Sequence, residues 1–194
     1  MKKISLKIVL TLSLIFAILS CKGQTFPLRT AVENVPNLSH FKDINNELSP
    51  FVGKYSATYN GKQITLFIIQ ENNKLFNFID KDIYIDVLSI KYIVKNSSGA
   101  TLQDTQSMTF PAHQLRHTIY SQWAEDNGNK LLFYYGGTNC GVGWGRIELK
   151  KLNNTQISWE YRPNDIILDD SKCPPGTDIN IYLPEAKDLI FTKQ

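Results

Sequence analysis

The sequence predicts an all-β protein, an antiparallel up-and-down barrel of about eight to ten strands, with a β-sandwich as the alternative. From residue 51 onward, short segments alternate apolar and polar residues, and this period of two is typical of strands with one buried face. Turn dipeptides such as Asn60-Gly61 and Asn153-Asn154 separate these segments at hairpin spacing. Antiparallel strands at this spacing, with almost no helical pattern, indicate a barrel or a sandwich.

The first hairpin has the clearest pattern. Residues 52–59 alternate, and Asn60-Gly61 follows as a type I′ turn signal, because that turn needs positive φ at both central positions. Residues 62–70 return as an apolar, β-branched strand, and Asn72-Asn73 predicts the next turn.

The remaining strands are rich in β-branched and aromatic residues and end at polar or glycine-containing turns. We expect them over residues 83–95, 101–110, 116–123, 130–136, 144–152, 155–161 and 188–193. In the last segment, Leu189-Ile190-Phe191 is expected to pair with the first strand and so cover its edge.

The first twenty-one residues predict export and lipid attachment. Lys2, Lys3 and Lys7 precede an apolar run over 8–19, and Ser20-Cys21 ends that run. This order resembles the lipobox of bacterial lipoproteins, which implies cleavage after Ser20 and attachment of lipid, with acyl chains such as palmitate, to Cys21. A membrane-spanning helix and an ordinary secretory signal are the alternatives, but a span usually needs about 20 apolar residues.

Composition then divides the chain into three parts. Residues 1–20 form the signal peptide, and the polar residues 21–50, interrupted by three prolines, predict a lipidated tether. Within the tether, residues 37–48 predict a short helix with Ser39 as its cap, and residues 51–194 form the barrel domain. The net charge of +3 includes three lysines that leave with the signal, and no basic stripe remains, so nucleic-acid binding is not indicated.

Two cysteines remain after processing, Cys140 and Cys173, both in loop-like surroundings. Exported proteins occupy an oxidising compartment, where an even number of cysteines usually means a disulfide. A reactive thiol or a metal-binding pair is the alternative, but no CxxC motif or neighbouring histidine favours it.

Aromatic side chains on the inward faces of the strands are the candidate ligand-binding residues. A barrel of about eight strands either fills its interior with side chains or keeps a cavity for one small ligand. We expect a filled core, with a cavity for a small apolar ligand as the alternative. The residues concerned are Tyr55, Tyr59, Tyr92, Phe133, Tyr135 and Trp159.

Catalytic and metal-binding patterns are sparse, and we expect no cofactor. His113 and His117 have helical metal-ligand spacing, but Pro111 and the following strand pattern argue against a helix there. Asp80, Asp82 and Asp86 lack the glycine and distal glutamate of a calcium loop. A carboxylate pair assembled from separate loops, as in a hydrolase, stays open, because such pairs meet in space rather than in sequence.

Two resemblances to known families add expectations. The run 51–55, Phe-Val-Gly-Lys-Tyr, resembles the first strand of lipocalin-like barrels, with Tyr55 in place of the tryptophan of their Gly-x-Trp motif. Nearly the whole chain resembles uncharacterised lipoproteins of Bacteroidota, which supply a fold expectation but no activity. That likeness rests on residues 20–24, on Asn46-Glu47-Leu48 with 51–53, on 60–62, and on 189–194.

The residue after the lipobox cysteine bears on sorting. In the lipoproteins that this chain resembles, an aspartate there tends to retain the protein at the inner membrane, so Lys22 implies the outer membrane. Gly23-Gln24 replaces the acidic pair of surface-exported relatives, which leaves the periplasmic and outer faces both open. We therefore expect a non-enzymatic envelope lipoprotein that binds a small apolar ligand or an envelope partner, with an envelope hydrolase as the alternative.

Overall fold

The structure is a computed structural model that describes residues 23–78, 80–111 and 114–194, apart from the side chain of Trp123. The predicted signal peptide, Ser20 and Cys21 lie outside the described residues, and so does His113. Within the described residues, no helix is both long enough and apolar enough to cross a membrane.

The described residues form one sheet of eleven strands. The strands are β1 Thr25–Pro27, β2 His40–Lys42, β3 Gly53–Tyr59, β4 Lys62–Asn77, β5 Asp82–Lys95, β6 Thr101–Asp104, β7 Ile119–Glu125, β8 Lys130–Tyr135, β9 Gly145–Lys151, β10 Gln156–Pro163 and β11 Ala186–Lys193. Short 3₁₀ helices occur at Val32–Asn34, Ser49–Phe51, Asp126–Gly128 and Asn139–Gly141.

Eight of these strands close into an antiparallel barrel. Strands β3 to β5 and β7 to β11 pair in chain order, and the ring closes where β11 pairs with β3 and β7 pairs with β5. The predicted up-and-down barrel is therefore confirmed, and its shape is consistent with a lipocalin-like barrel. The closing contact uses Thr192 and Lys193, whereas 189–191, which we expected on the first strand, pair with β10.

The two ends of the barrel are built differently. At one end, here called the turn end, successive strands are joined by the tight turns 78–81, 126–129 and 152–155. At the opposite end, here called the loop end, the connections include the long segments 136–144 and 164–185.

The segment before the barrel is more ordered than a tether. Strand β2 pairs in parallel with the start of β5, and β1 pairs with β2. Phe41 on β2 is 2% exposed and packs with Val35 and Ile83 in a small second core. The helix that we expected over 37–48 is therefore absent, because Phe41 is buried by an extended strand; the short helix before the barrel lies at Ser49–Phe51 instead.

A buried carboxylate fixes this segment to the barrel. Asp86 on β5 is 4% exposed, lies 2.8 Å from His40 Nε2, and accepts backbone N–H groups from Asp43 and Asn73. Burial raises the pKa of Asp86, but the hydrogen bonds from His40, Asn73 and Asp43 outweigh it and leave the pKa below its usual range.

The turn expected at Asn72-Asn73 is wrong. Asn73 has a φ of 58°, but β4 only bulges at this point and continues to Asn77.

Strand β6 is also shorter than predicted. It ends at Asp104, because the Thr105 hydroxyl and N–H both bond to the backbone of Tyr92 and the chain then leaves the sheet. Strand β7 begins at Ile119 rather than at residue 116, since His117 has a φ of 64° that interrupts extended structure.

Candidate functional site

The interior of the barrel is filled by aromatic side chains. Of the six candidate ligand-binding residues, all but Tyr59 are at most 1% exposed. Trp159 packs against Tyr161 and Phe191, with ring centroids 6.2 and 5.7 Å apart, and its indole N–H bonds to the Pro184 carbonyl at 2.9 Å. The structure thus brings five of the six residues together as packed core rather than as the lining of a cavity.

The buried tyrosine hydroxyls are hydrogen-bonded within this core. Tyr92 donates to Gln103 Oε1 at 2.7 Å, its oxygen lies 3.2 Å from that of Tyr135, and Tyr161 donates to the Gly143 carbonyl. Burial raises the pKa of Tyr135 to about 12 and also raises the pKa values of Tyr92 and Tyr161. These hydroxyls therefore stay neutral at physiological pH and complete the packing of the core.

Tyr59 is placed differently, at the mouth of the loop end. It lines a cleft of about 290 Å³, and its hydroxyl donates to the Glu185 carbonyl at 2.7 Å. Lys62 Nζ lies 5.9 Å from the centroid of the Tyr182 ring on the cleft wall. The other lining residues are Asn60 and Glu185, which are polar, and Ile64, Ile181, Leu183 and Pro184, which are apolar.

A disulfide braces the loop end. Cys140 and Cys173 lie at bonding distance, with an S–S length of 2.05 Å and Cα atoms 5.5 Å apart, so the predicted pair is confirmed. The bond joins the 3₁₀ turn at Asn139–Gly141 to the long segment 164–185. Cys173 is 8% exposed, and its N–H bonds to the Asp169 carbonyl at 2.8 Å.

Hydrogen bonds fix the same segment at other points. The N–H of Asn164 bonds to the Trp144 carbonyl at 2.8 Å, and the Trp144 indole N–H bonds to the Asp165 carbonyl at 3.3 Å. Asn139 donates its side-chain amide to the Asp178 carbonyl at 2.8 Å, and its Oδ1 lies 3.1 Å from His117 Nε2. His117 therefore bonds to a loop amide, whereas its predicted neighbour in a metal pair lies outside the described residues.

Between these fixed points an apolar tip projects into solvent. We define the apolar tip as Ile166, Ile167 and Leu168, which are 41%, 96% and 42% exposed. Exposed carboxylates flank it, from Asp165 on one side and Asp169-Asp170 on the other. Sequence reasoning missed this feature, although its signal is present: three consecutive aliphatic residues lie between aspartates in an otherwise polar, proline-containing loop.

Four of the described carboxylates have lowered pKa values, the opposite of the raised pKa that a hydrolase's general acid needs. Hydrogen bonds to Asp169, Asp178 and Glu125 favour their charged forms and lower their pKa values, as they do for Asp86. Within the described part of the chain, no group of three or more histidine, cysteine or acidic side chains is placed to hold a metal ion.

Comparison of the chain with protein-family models, with curated proteins and with solved structures finds no match. The assignment of a function therefore depends on the residues and the geometry described above.

Proposed function

We propose that this protein is a lipid-anchored lipoprotein of the cell envelope, and that its barrel is a non-enzymatic module that binds an envelope partner at the loop end. The charged start, the apolar run and Ser20-Cys21 support the anchor. Lys22, through the likeness to Bacteroidota lipoproteins, supports the outer membrane as its location.

The observation that carries the binding role is the apolar tip held out on a braced loop. An aliphatic side chain that is 96% exposed, as Ile167 is, gains nothing from folding, whereas its insertion into a partner's pocket would remove it from water. The disulfide and the Trp144 contacts restrict the loop before binding, and this lowers the entropy lost on association. The apolar tip is therefore a preorganised group of residues that can insert into a partner's pocket.

Charge defines the kind of partner. Asp165, Asp169 and Asp170 flank the tip, and the nearest cations along the sequence are Arg162 and Lys172, so the charge around the tip is negative. A partner with an apolar pocket and a rim of lysine or arginine side chains matches this arrangement, because complementary charges accelerate encounter and fix the orientation of docking.

The filled interior does not support transport of an apolar ligand inside the barrel, as true lipocalins would perform it. The cleft beside Tyr59 supports a second candidate, the binding of a small ligand at the barrel mouth. Its apolar lining and the Tyr182 ring suit a small, ring-containing ligand better than a lipid chain, and Lys62 and Glu185 add one charge of each sign.

Site-specific photo-crosslinking in the cells that produce the protein tests the partner proposal. A benzophenone amino acid at Ile167 should give a discrete adduct with an envelope protein, mapped to an apolar pocket beside basic residues. The same group at Ile190, an exposed barrel-wall position at 41%, is the matched control and should give no such adduct. Absence of an adduct at Ile167, or one found only with lipid, would contradict the proposal.

Neutralising the flanking charges sharpens this test. Asp165→Asn, Asp169→Asn and Asp170→Asn together should reduce the Ile167 adduct several-fold, since they remove the complementary charge and leave the apolar tip in place. An adduct of unchanged yield would show that the partner does not have a basic rim.

A further inference from the structure

The described chain begins beside the β4–β5 turn, at the turn end. A Cβ atom on Gly23 would lie 3.2 Å from the Leu38 carbonyl oxygen, and the Leu38 N–H bonds to the Asp82 carbonyl at 2.7 Å. The carbonyl of Gln24 accepts the His40 N–H at 2.8 Å, so the chain is already held to the sheet at residue 24.

This leaves almost no free chain between the barrel and the proposed lipid. Lys22 is the single residue between Gly23 and Cys21. Two trans peptide units separate the Cα atoms of Cys21 and Gly23 by at most about 7.6 Å. A barrel lipidated at Cys21 is therefore held with its turn end near the bilayer, and its tilt there depends on the side chains around Gly23.

The surface around Gly23 carries two exposed apolar side chains beside the polar residues of the β4–β5 turn, among them Asp80, which is 74% exposed. Leu38 is 49% exposed and Phe78, at the start of the β4–β5 turn, is 41% exposed. Both residues lie next to Asp82. The Leu38 N–H bonds to the Asp82 carbonyl, and Phe78 directly follows Asn77, which pairs with Asp82 across β4 and β5. Leu38 also has a φ of 62°, a conformation that leucine rarely adopts, and it is held there with its side chain facing solvent.

We infer that Leu38 and Phe78 form a membrane-contacting patch that orients the barrel on the bilayer, with the loop end directed away from it. This inference rests on the proposed lipidation of Cys21. Strand β5 has 14 residues and runs from the turn end to the loop end, so the apolar tip would lie up to about 40 Å from the patch. The occupant of the patch is the anchoring membrane, whereas the apolar tip remains available to a protein.

Quenching by lipid-attached quenchers tests this orientation. Full-length lipidated protein is reconstituted into vesicles of phosphatidylethanolamine and phosphatidylglycerol that contain a spin-labelled phospholipid. A fluorophore is attached through Asp80→Cys, a turn position whose side chain is 74% exposed and which leaves Leu38 and Phe78 intact. The matched label is attached through Ile167→Cys at the loop end.

We expect several-fold stronger quenching at position 80 than at position 167. Adding Leu38→Glu and Phe78→Glu to the Asp80→Cys protein should reduce that quenching, because a charged patch is repelled from the bilayer interior. Equal quenching at the two positions, or quenching unaffected by the glutamates, would overturn the inference. Flotation of the protein with the vesicles reports separately on lipidation, and a protein that does not float contradicts both the anchor and the patch.

Discussion

The segments at the two ends of the barrel are fixed to it by different interactions. At the turn end the segment before β3 folds back on the barrel, so that Leu48 and Phe51 enter the core. Asp86 accepts hydrogen bonds from His40 and Asp43 of this segment and from Asn73 of β4. At the loop end a covalent bond between Cys140 and Cys173 fixes a long segment with few buried residues.

The difference determines which end can leave apolar side chains exposed. A disulfide stabilises mainly by restricting the unfolded chain, so it lets a loop keep one conformation without burying its side chains. The loop end can therefore leave Ile167 exposed, whereas the turn end is stabilised by burial and hydrogen bonding. This contrast supports the proposed partner site at the loop end.

The largest expected effect is loss of the core that both ends share. Trp159→Ala should lower the free energy of unfolding by about 3–5 kcal/mol, because it removes a fully buried ring and leaves a cavity. The measurement is the urea midpoint of residues 23–194. Ile167→Ala is the paired control and should change stability by no more than about 0.5 kcal/mol; similar losses in the two variants would mean that the tip is packed.

Removing the disulfide should loosen the loop end alone. Cys140→Ser with Cys173→Ser opens a loop of 33 positions and should cost about 2–4 kcal/mol. Hydrogen exchange should accelerate across 164–173 while the Asn73 and Asp43 amides at the turn end stay protected. Faster exchange at both ends would show that the ends are coupled.

Removing the Asp86 carboxylate should loosen the turn end alone. Asp86→Asn should cost about 1.5–3 kcal/mol, since the charged acceptor of three hydrogen bonds is lost from a buried site. Amide exchange should accelerate in β1 and β2 with no change across 164–173. If β2 kept its protection in the variant, Asp86 would not be what fixes the segment.

Asp86 also predicts a pH dependence. Its folded pKa lies below the unfolded value, so its stabilising contribution is present above the unfolded pKa and is lost as the pH falls through the folded one, that is, below about 4. Urea midpoints measured between neutral and acid pH should fall less steeply for Asp86→Asn than for the parent. Parallel curves would contradict the assignment.

A smaller effect is expected at the first hairpin. Gly61 has a φ of 72° in the Asn60-Gly61 turn, and no atom lies within 4 Å of a Cβ there, so Gly61→Val tests backbone strain alone. We expect a loss of about 1–2 kcal/mol in the free energy of unfolding, read from the urea midpoint. Gly61→Asn, which tolerates this conformation, should recover most of the loss.

Strand positions were largely predictable from the sequence, because alternation and turn residues are local signals. The Asn60-Gly61 turn has the expected positive φ at both residues, and the burial of Tyr55 and Trp159 follows from strand alternation. The bulge at Asn73 was not predictable in this way, since its amide turns toward Asp86, a residue 13 positions away. Strand β2 depends likewise on a non-local pairing with β5.

The candidate site was predictable only in part. The even cysteine count and the expectation of export predicted the disulfide, but the exposure of Ile167 depends on where Trp144 and Cys140 fix the loop. Five of the six aromatic residues proposed for ligand binding lie inside the barrel, as strand alternation predicts. Whether they pack as a core or line a cavity depends on how completely their side chains fill the interior, which the sequence pattern does not give.

Hydrogen exchange in native membranes tests the central claim most directly, namely that recognition occurs at the loop end and not inside the barrel. The full-length protein is compared in membranes from its own cells and after purification in detergent. We expect slower exchange across 164–173 in the native membranes, with exchange in the barrel strands unchanged. Exchange that is unchanged in this segment, or slowed only in the strands that enclose Tyr92, Phe133 and Trp159, would contradict it.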